Sequence, residues 1–281
     1  MQISCIICSR QPDISAELKE NIASTIGCEY ELVVIDNSKN EYSIFSAYNE
    51  GVRRAKGDIL CFMHEDILYH TQGWGAKIIE LLKDESVGII GFAGSHFMPK
   101  APTYWSLSPY VSECFMHNDL GNRYDCIATN YMNNSLADVV AIDGMCFYMR
   151  SSLFEQIHFD EEHYGDFHAY DMDICMKVQD VGKRVCVTNS VLIEHAWTET
   201  LLKNRGYMNR LDKNMIIFYN KWRHLLPMVR GVELSERVIQ GLNNLCIQAY
   251  DATRIRRSKA YLLGKFILHP NYTNLKKLLK R

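Results

Sequence analysis

Apolar residues along the chain alternate between two patterns. Short continuous runs at residues 2–8, 31–35, 59–63 and 87–94 read as strands buried on both faces. Stretches with helical spacing lie between them, at about 16–26, 44–55 and 73–83. Asp13 or Ser15 is placed to cap the first helix, and Lys56-Gly57 closes the second. Strands alternating with helices predict an α/β fold with a mostly parallel, Rossmann-like sheet covered by helices on both faces. Ligands bind such sheets beyond the carboxyl ends of the strands. Three of those ends are polar: Ser9-Arg10, Asp36-Asn37 and His64-Glu65-Asp66.

The pattern changes at residue 95. Residues 95–137 are aromatic, polar and poorly periodic, and are expected to form a long loop or insertion near the site. Residues 139–149 return to strand character, broken at Asp143-Gly144, and Ser151 or Ser152 starts a short helix. A helix over 171–181 ends at Gly182, and short strands at 184–187 and 191–194 lead to His195. The tail is helical. Met208, Leu211, Met215, Phe218 and Trp222 form one apolar stripe, and Leu234, Val238, Leu242, Leu245 and Ala249 a second, with Pro227 and Pro270 as punctuation. The expected division is a domain over 1–200 and a mostly helical C-terminal extension over 201–281.

The chain has 281 residues, 47% hydrophobic and 23% charged, which excludes a disordered, collagenous or coiled-coil protein. The apolar run at 87–94 is too short to span a bilayer. The first residues lack the basic start and long apolar centre of a signal peptide. The ten cysteines are therefore expected as reduced thiols in a cytoplasmic protein. Cys5 and Cys8 would face opposite sides of a strand, and no second pair follows, so buried thiols are a better account than zinc or a redox pair.

The net charge of −2 conceals an asymmetry: residues 201–281 carry +13 and residues 1–200 carry −15. The basic tail is expected to pack beside the acidic domain or to meet anionic lipid at the inner face of the membrane, as a peripheral contact. A solvated face on a packing helix pair is the plainer account. Arg254, Arg256, Arg257 and Lys259 cluster, but behind so acidic a domain nucleic acid is a poor partner.

Asp66 ends a buried strand and His195 ends another. Together they offer an oxygen and a nitrogen ligand for a divalent cation, although an acid after a strand is often only a helix cap. Asp171 and Asp173 begin a helix, where the dipole favours anions; either they simply decorate that terminus or one of them accepts a proton from a nucleophile, and spacing alone does not choose between the two. There is no P-loop, no G-x-G-x-x-G after the first strand, no G-x-S-x-G elbow and no H-E-x-x-H pair.

Taken in order, these segments resemble the family-2 glycosyltransferases, which have the GT-A fold. The matching pieces are Ile3-Ser4-Cys5-Ile6-Ile7-Cys8-Ser9, Ile35-Asp36-Asn37-Ser38, Asn49-Glu50-Gly51, Ala55-Lys56-Gly57-Asp58, His64-Glu65-Asp66 at the D-x-D position, Asp143-Gly144 through Arg150, Tyr170-Asp171-Met172-Asp173, Gly182 and His195. The resemblance implies an inverting transfer of sugar from a nucleotide-diphosphate sugar to a hydroxyl of a glycan or lipid-linked acceptor. It implies Mn2+ or Mg2+ on Asp66 and His195, and Asp171 as general base. It places Ser9, Asp36, Asn37, Asn49, His64, Glu65, Asp143, Gly144 and Asp173 at the substrates. Three residues depart from the family pattern: His64 and Asn37 stand where acids are usual, and Tyr170 replaces the acid before the base. A nucleotidyltransferase fits poorly, because Ser9-Arg10-Gln11-Pro12-Asp13 lacks a glycine-rich phosphate loop. A non-catalytic carbohydrate-binding or nucleotide-sugar-binding protein on the same scaffold is the alternative of a different class.

Overall fold

A computed structural model describes residues 1–119, 121–132, 135–196 and 205–257. Lys259 and Pro270 lie outside the described residues, as do the side chains of Arg254, Arg256 and Arg257. The chain runs β1 (Ile3–Ser9), α1 (Ala16–Thr25), β2 (Tyr30–Asp36), α2 (Ile44–Arg54), β3 (Ile59–Met63), β4 (Ile67–Tyr69), α3 (Trp74–Leu81) and β5 (Val87–Gly91). It continues through β6 (Ala93–Ser95), β7 (Phe97–Met98), β8 (Val111–Asp119), β9 (Asn122–Ala128), β10 (Leu136–Asp138), β11 (Ala141–Ile142) and β12 (Cys146–Arg150). It closes with α4 (Tyr170–Asp180), β13 (Arg184–Thr188), β14 (Ile193–His195), α5 (Arg205–Trp222), β15 (Met228–Val229) and α6 (Glu236–Arg257).

The main sheet has the order β10-β13-β5-β12-β3-β1-β2. β1 pairs parallel with β2 and β3, and β13 with β5, while β12 and β10 run antiparallel to their neighbours. The expected mostly parallel α/β sheet is present. Its strands are apolar on both faces because helices cover both: β3 and β5 are buried at every position. Ser15 caps α1, its hydroxyl accepting from the Leu18 N–H at 3.1 Å.

A second sheet, β11-β6-β8-β14-β4 with β9 on β8, lies beyond the strand ends. It corrects two expectations. The run 87–94 is two strands, because the chain leaves the main sheet after Gly91 and enters the second at Ala93. Residues 95–137 are not chiefly loop: β8 and β9 form a hairpin paired from Glu113↔Ala128 to Asp119↔Asn122. Its covered positions include Ser112, Cys114 and His117, so alternation in burial is not alternation in hydrophobicity.

The tail also differs from expectation. Met215, Phe218 and Trp222 of α5 are buried in the same core as the sheet, so this core crosses the boundary expected at residue 200. On α6 the second stripe does not face inward. Val238 and Leu245 are 38% and 63% exposed, while Cys246 is buried. All ten cysteines are free thiols. Among the described residues, no helix is long and apolar enough to cross a membrane.

Candidate active site

The site forms where β3 leaves the main sheet. The backbone N–H of His64 donates to the Met145 carbonyl at 2.9 Å, pinning the strand end to the turn before β12. Three residues on, β4 begins and pairs antiparallel with β14, so His195 lies opposite Ile67. The Ala196 N–H reaches the Asp66 carbonyl at 3.1 Å. This register brings together residues 129 positions apart. His64, Asp66 and His195 each offer a ligand atom, all within 4.8 Å of one another.

The charges fit a cation. Asp66 Oδ1 is buried and receives no hydrogen bond. His195 Nε2 is 3.6 Å away, beyond hydrogen-bond reach. A buried, unpaired carboxylate oxygen is costly unless a further group completes it. Burial raises the Asp66 carboxyl above its ordinary value, with His195 opposing. Burial, then the charge of His195, pushes the His64 ring down to about 3, leaving it neutral and able to donate a lone pair.

Asp171 stands beside this cluster in the first turn of α4. The turn starts from Ala169, held at a φ of 73°. The Asp171 carboxylate accepts from the Gly144 N–H at 3.1 Å and the Met172 N–H at 2.8 Å. Loss of solvent, followed by the charge of Asp143, raises it to about 7, the range suited to a general base. Asp143 itself accepts from the Met145 N–H at 2.9 Å. Gly144 has no room for a side chain, because a Cβ there would lie 2.2 Å from the Tyr170 hydroxyl. That hydroxyl donates to the Gly144 carbonyl at 2.9 Å and lies 2.8 Å from His64 Nε2. The metal-type cluster and the base are thus joined through Tyr170 and the Asp143-Gly144 turn.

Several residues expected at the substrates are committed elsewhere. Ser9 is fully buried and donates to Glu65 at 2.7 Å, and Arg10 Nε meets the other Glu65 oxygen at 2.6 Å. Burial would raise Glu65, but these bonds outweigh it and hold the carboxyl below its ordinary value. Glu65 therefore ties the ends of β1 and β3 together. Asn37 exchanges two hydrogen bonds with the Tyr42 backbone, both at 2.9 Å, and shapes the loop after β2. Asn49 is buried, and its amide exchanges two hydrogen bonds with the Phe159 backbone at 2.9 and 3.0 Å, tying α2 to the segment before α4. Asp173 is buried and accepts from Tyr164, Lys221 and Trp222; it anchors α5 rather than facing the site. Asp36 is exposed at the end of β2, with one oxygen accepting from the Ser38 N–H at 2.9 Å.

Sequence reasoning did not find β4, the Lys221–Asp173 contact or the Tyr170–His64 bond. The three residues of β4 are too few to show a period, and the other two are long-range pairings. Phe167 also went unmarked. Its ring is 41% exposed and lies 5.5 Å from that of His64.

Metal-type ligands at the strand ends of a GT-A sheet, with a raised carboxylate beside them, define the setting of a glycosyltransferase. Residues 3–222 match the glycosyltransferase-like family, and the chain belongs to it. Among solved structures, S. aureus TarS 1-349 in complex with UDP-GlcNAc is 13% identical, with all of this chain and 79% of that one covered, at a TM-score of 0.51. The same TarS fragment in another crystal structure gives 12% identity over 100% of this chain and 78% of that one, at a TM-score of 0.50. GalNAc-T7 with UDP, GalNAc and Mn2+ is 12% identical, covering 70% of this chain but only 43% of that one, at a TM-score of 0.48. No curated relative matches the sequence.

Proposed function

We propose that this glycosyltransferase moves a sugar from a nucleotide-diphosphate sugar to an acceptor hydroxyl with inversion, using a divalent cation and Asp171 as base. The observation that carries the reading is the unpaired, buried Asp66 Oδ1 clustered with two imidazoles. His64, Asp66 and His195 would hold the cation. Two nitrogens and one oxygen suit Mn2+ better than Mg2+, which prefers oxygen and gives up water reluctantly. When bound, the cation supplies Lewis acidity that neutralises charge on the departing diphosphate.

The chain's own residues do the remaining work. The Gly144 and Met172 N–H groups orient the Asp171 carboxylate, and Asp143 keeps it basic enough to take the acceptor's proton. Proton removal at one face and departure of the nucleotide at the other lead to direct displacement and an inverted anomeric centre. Asp36, exposed at the end of β2, is positioned for the nucleoside. TarS has been solved with UDP-GlcNAc, which supports a UDP-sugar as the first donor to try. The acceptor is a glycan or lipid-linked glycan in polysaccharide assembly, met on the cytoplasmic side with the basic tail toward the membrane surface.

Calorimetric titration of UDP, GDP and dTDP, each with and without Mn2+, tests this. Metal-dependent binding of one nucleotide is the expected result. Folded protein that binds none of them overturns the donor reading and favours a non-catalytic carbohydrate-binding role.

A further inference from the structure

His64 and Tyr170, two departures from the family pattern, are hydrogen-bonded to each other at 2.8 Å. Tyr170 also contacts the Gly144 carbonyl at 2.9 Å. A phenol has one proton, and a carbonyl only accepts. The Tyr170 proton therefore lies on the Gly144 side, and the phenolic oxygen must accept from His64. Nε2 of His64 then carries its hydrogen. A neutral imidazole protonated at Nε2 has its lone pair on Nδ1, and among the described residues no hydrogen bond reaches Nδ1. The opposite arrangement turns the Tyr170 proton toward His64, strips the buried Gly144 carbonyl of its partner and takes the lone pair from Nδ1.

We infer that Tyr170 is a positioning residue that fixes His64 as its Nε2–H tautomer and so presents Nδ1 as the ligand atom for the cation. The inference rests on the cation site proposed above. Outer partners of this kind orient ligating histidines and set their tautomer. Tyr170 is itself held firmly. It is buried, packs edge-on against Tyr48 and Phe45 at 5.6 and 6.2 Å, and closes over a residue with no space for a Cβ. A tyrosine does this work without adding a negative charge next to Asp143 and Asp171. The two departures are then one device. A histidine replaces an acidic ligand, and a phenol replaces the neighbouring acid so that the histidine ring is correctly protonated.

Nitrogen-15 NMR of the histidine rings in metal-free protein reads the tautomer directly, with His64 assigned by loss of its signals in His64→Gln. The expected wild-type spectrum shows His64 protonated on Nε2. In Tyr170→Phe the preference is expected to relax to a mixture. Mn2+ affinity, read by electron paramagnetic resonance, is expected to fall about ten- to a hundredfold. A wild-type His64 protonated on Nδ1 overturns the inference, and this holds even if Tyr170→Phe fails to fold. Unchanged Mn2+ affinity in folded Tyr170→Phe also overturns it. Asp66→Ala separates the two claims. If it binds Mn2+ as wild type does, the cation site is wrong. If it loses Mn2+ while Tyr170→Phe keeps it, only the role of Tyr170 is wrong.

Discussion

Lys221 on α5 places its ammonium 2.9 Å from Oδ1 of Asp173, two residues beyond the base on α4. Trp222 Nε1 donates to the same oxygen at 2.7 Å, and Lys221 also meets Asp160 at 2.6 Å. Two buried carboxylates share this lysine, although Lys177 also lies 3.5 Å from Asp173 and His163 2.8 Å from Asp160. Removing one partner of a buried pair leaves an uncompensated charge. Lys221→Met is expected to lower unfolding free energy by about 3 kcal/mol in urea denaturation. The pH profile of turnover by the folded fraction should not move.

The Asp171 carboxyl, raised to about 7, sets an expected pH profile. A base must be deprotonated, so turnover should rise with pH through about 7 and level off above it. Asp143→Asn removes the neighbouring negative charge and should shift this inflection to lower pH. A pH–rate profile under saturating donor checks both.

Asp171→Asn separates catalysis from stability. Turnover should fall about a thousandfold with donor affinity retained. A raised folded-state pKa means that the native state favours the protonated form. Its cost is absent below the ordinary carboxylate range, accrues as pH rises from there, and is complete above about 7. The neutral amide should therefore be more stable than wild type at pH 8, by thermal melting, and equal to it at pH 4.

Asn49→Ala tests a residue that sequence matching alone would place at the substrate. It leaves the Phe159 N–H and carbonyl unpaired in the core. A loss of about 3 kcal/mol in denaturant unfolding is expected, with donor KM of the folded enzyme unchanged.

Mn2+ should stabilise the protein by mass action. At a hundred times its Kd the gain is about 2.7 kcal/mol. Differential scanning fluorimetry should show a rise in Tm that EDTA reverses and that Asp66→Asn abolishes. A rise that survives in Asp66→Asn places the ion elsewhere.

The sequence pattern foretold the main sheet well because its strands are buried on both faces and read as continuous apolar runs. The ends of β1, β2 and β3 followed from those runs, and with them the location of Ser9, Asp36 and Asp66. What each side chain does there was not legible. Ser9, Asn37, Asn49 and Asp173 all stand at motif positions, yet each is spent on a partner 5 to 110 residues away. The second sheet was hidden because its covered face is partly polar and β4 is very short. His195 could be guessed as a ligand, but only the β4–β14 register explains how it reaches Asp66.

The 48-position separation of Asp173 and Lys221 imposes an order of events during synthesis. α4, its base and the Lys177 ammonium 3.5 Å from Asp173 are made early, but the second ammonium and the Trp222 donor leave the ribosome only after the strands of both sheets. Until α5 has emerged and docked, Asp173 has Lys177 of its own helix but lacks the Lys221 and Trp222 partners that complete it beside the future reaction centre. A chain released at residue 200 therefore holds the strands of both large sheets without the α5 side chains that meet Asp173, so the start of α4 settles only with the last turn of α5.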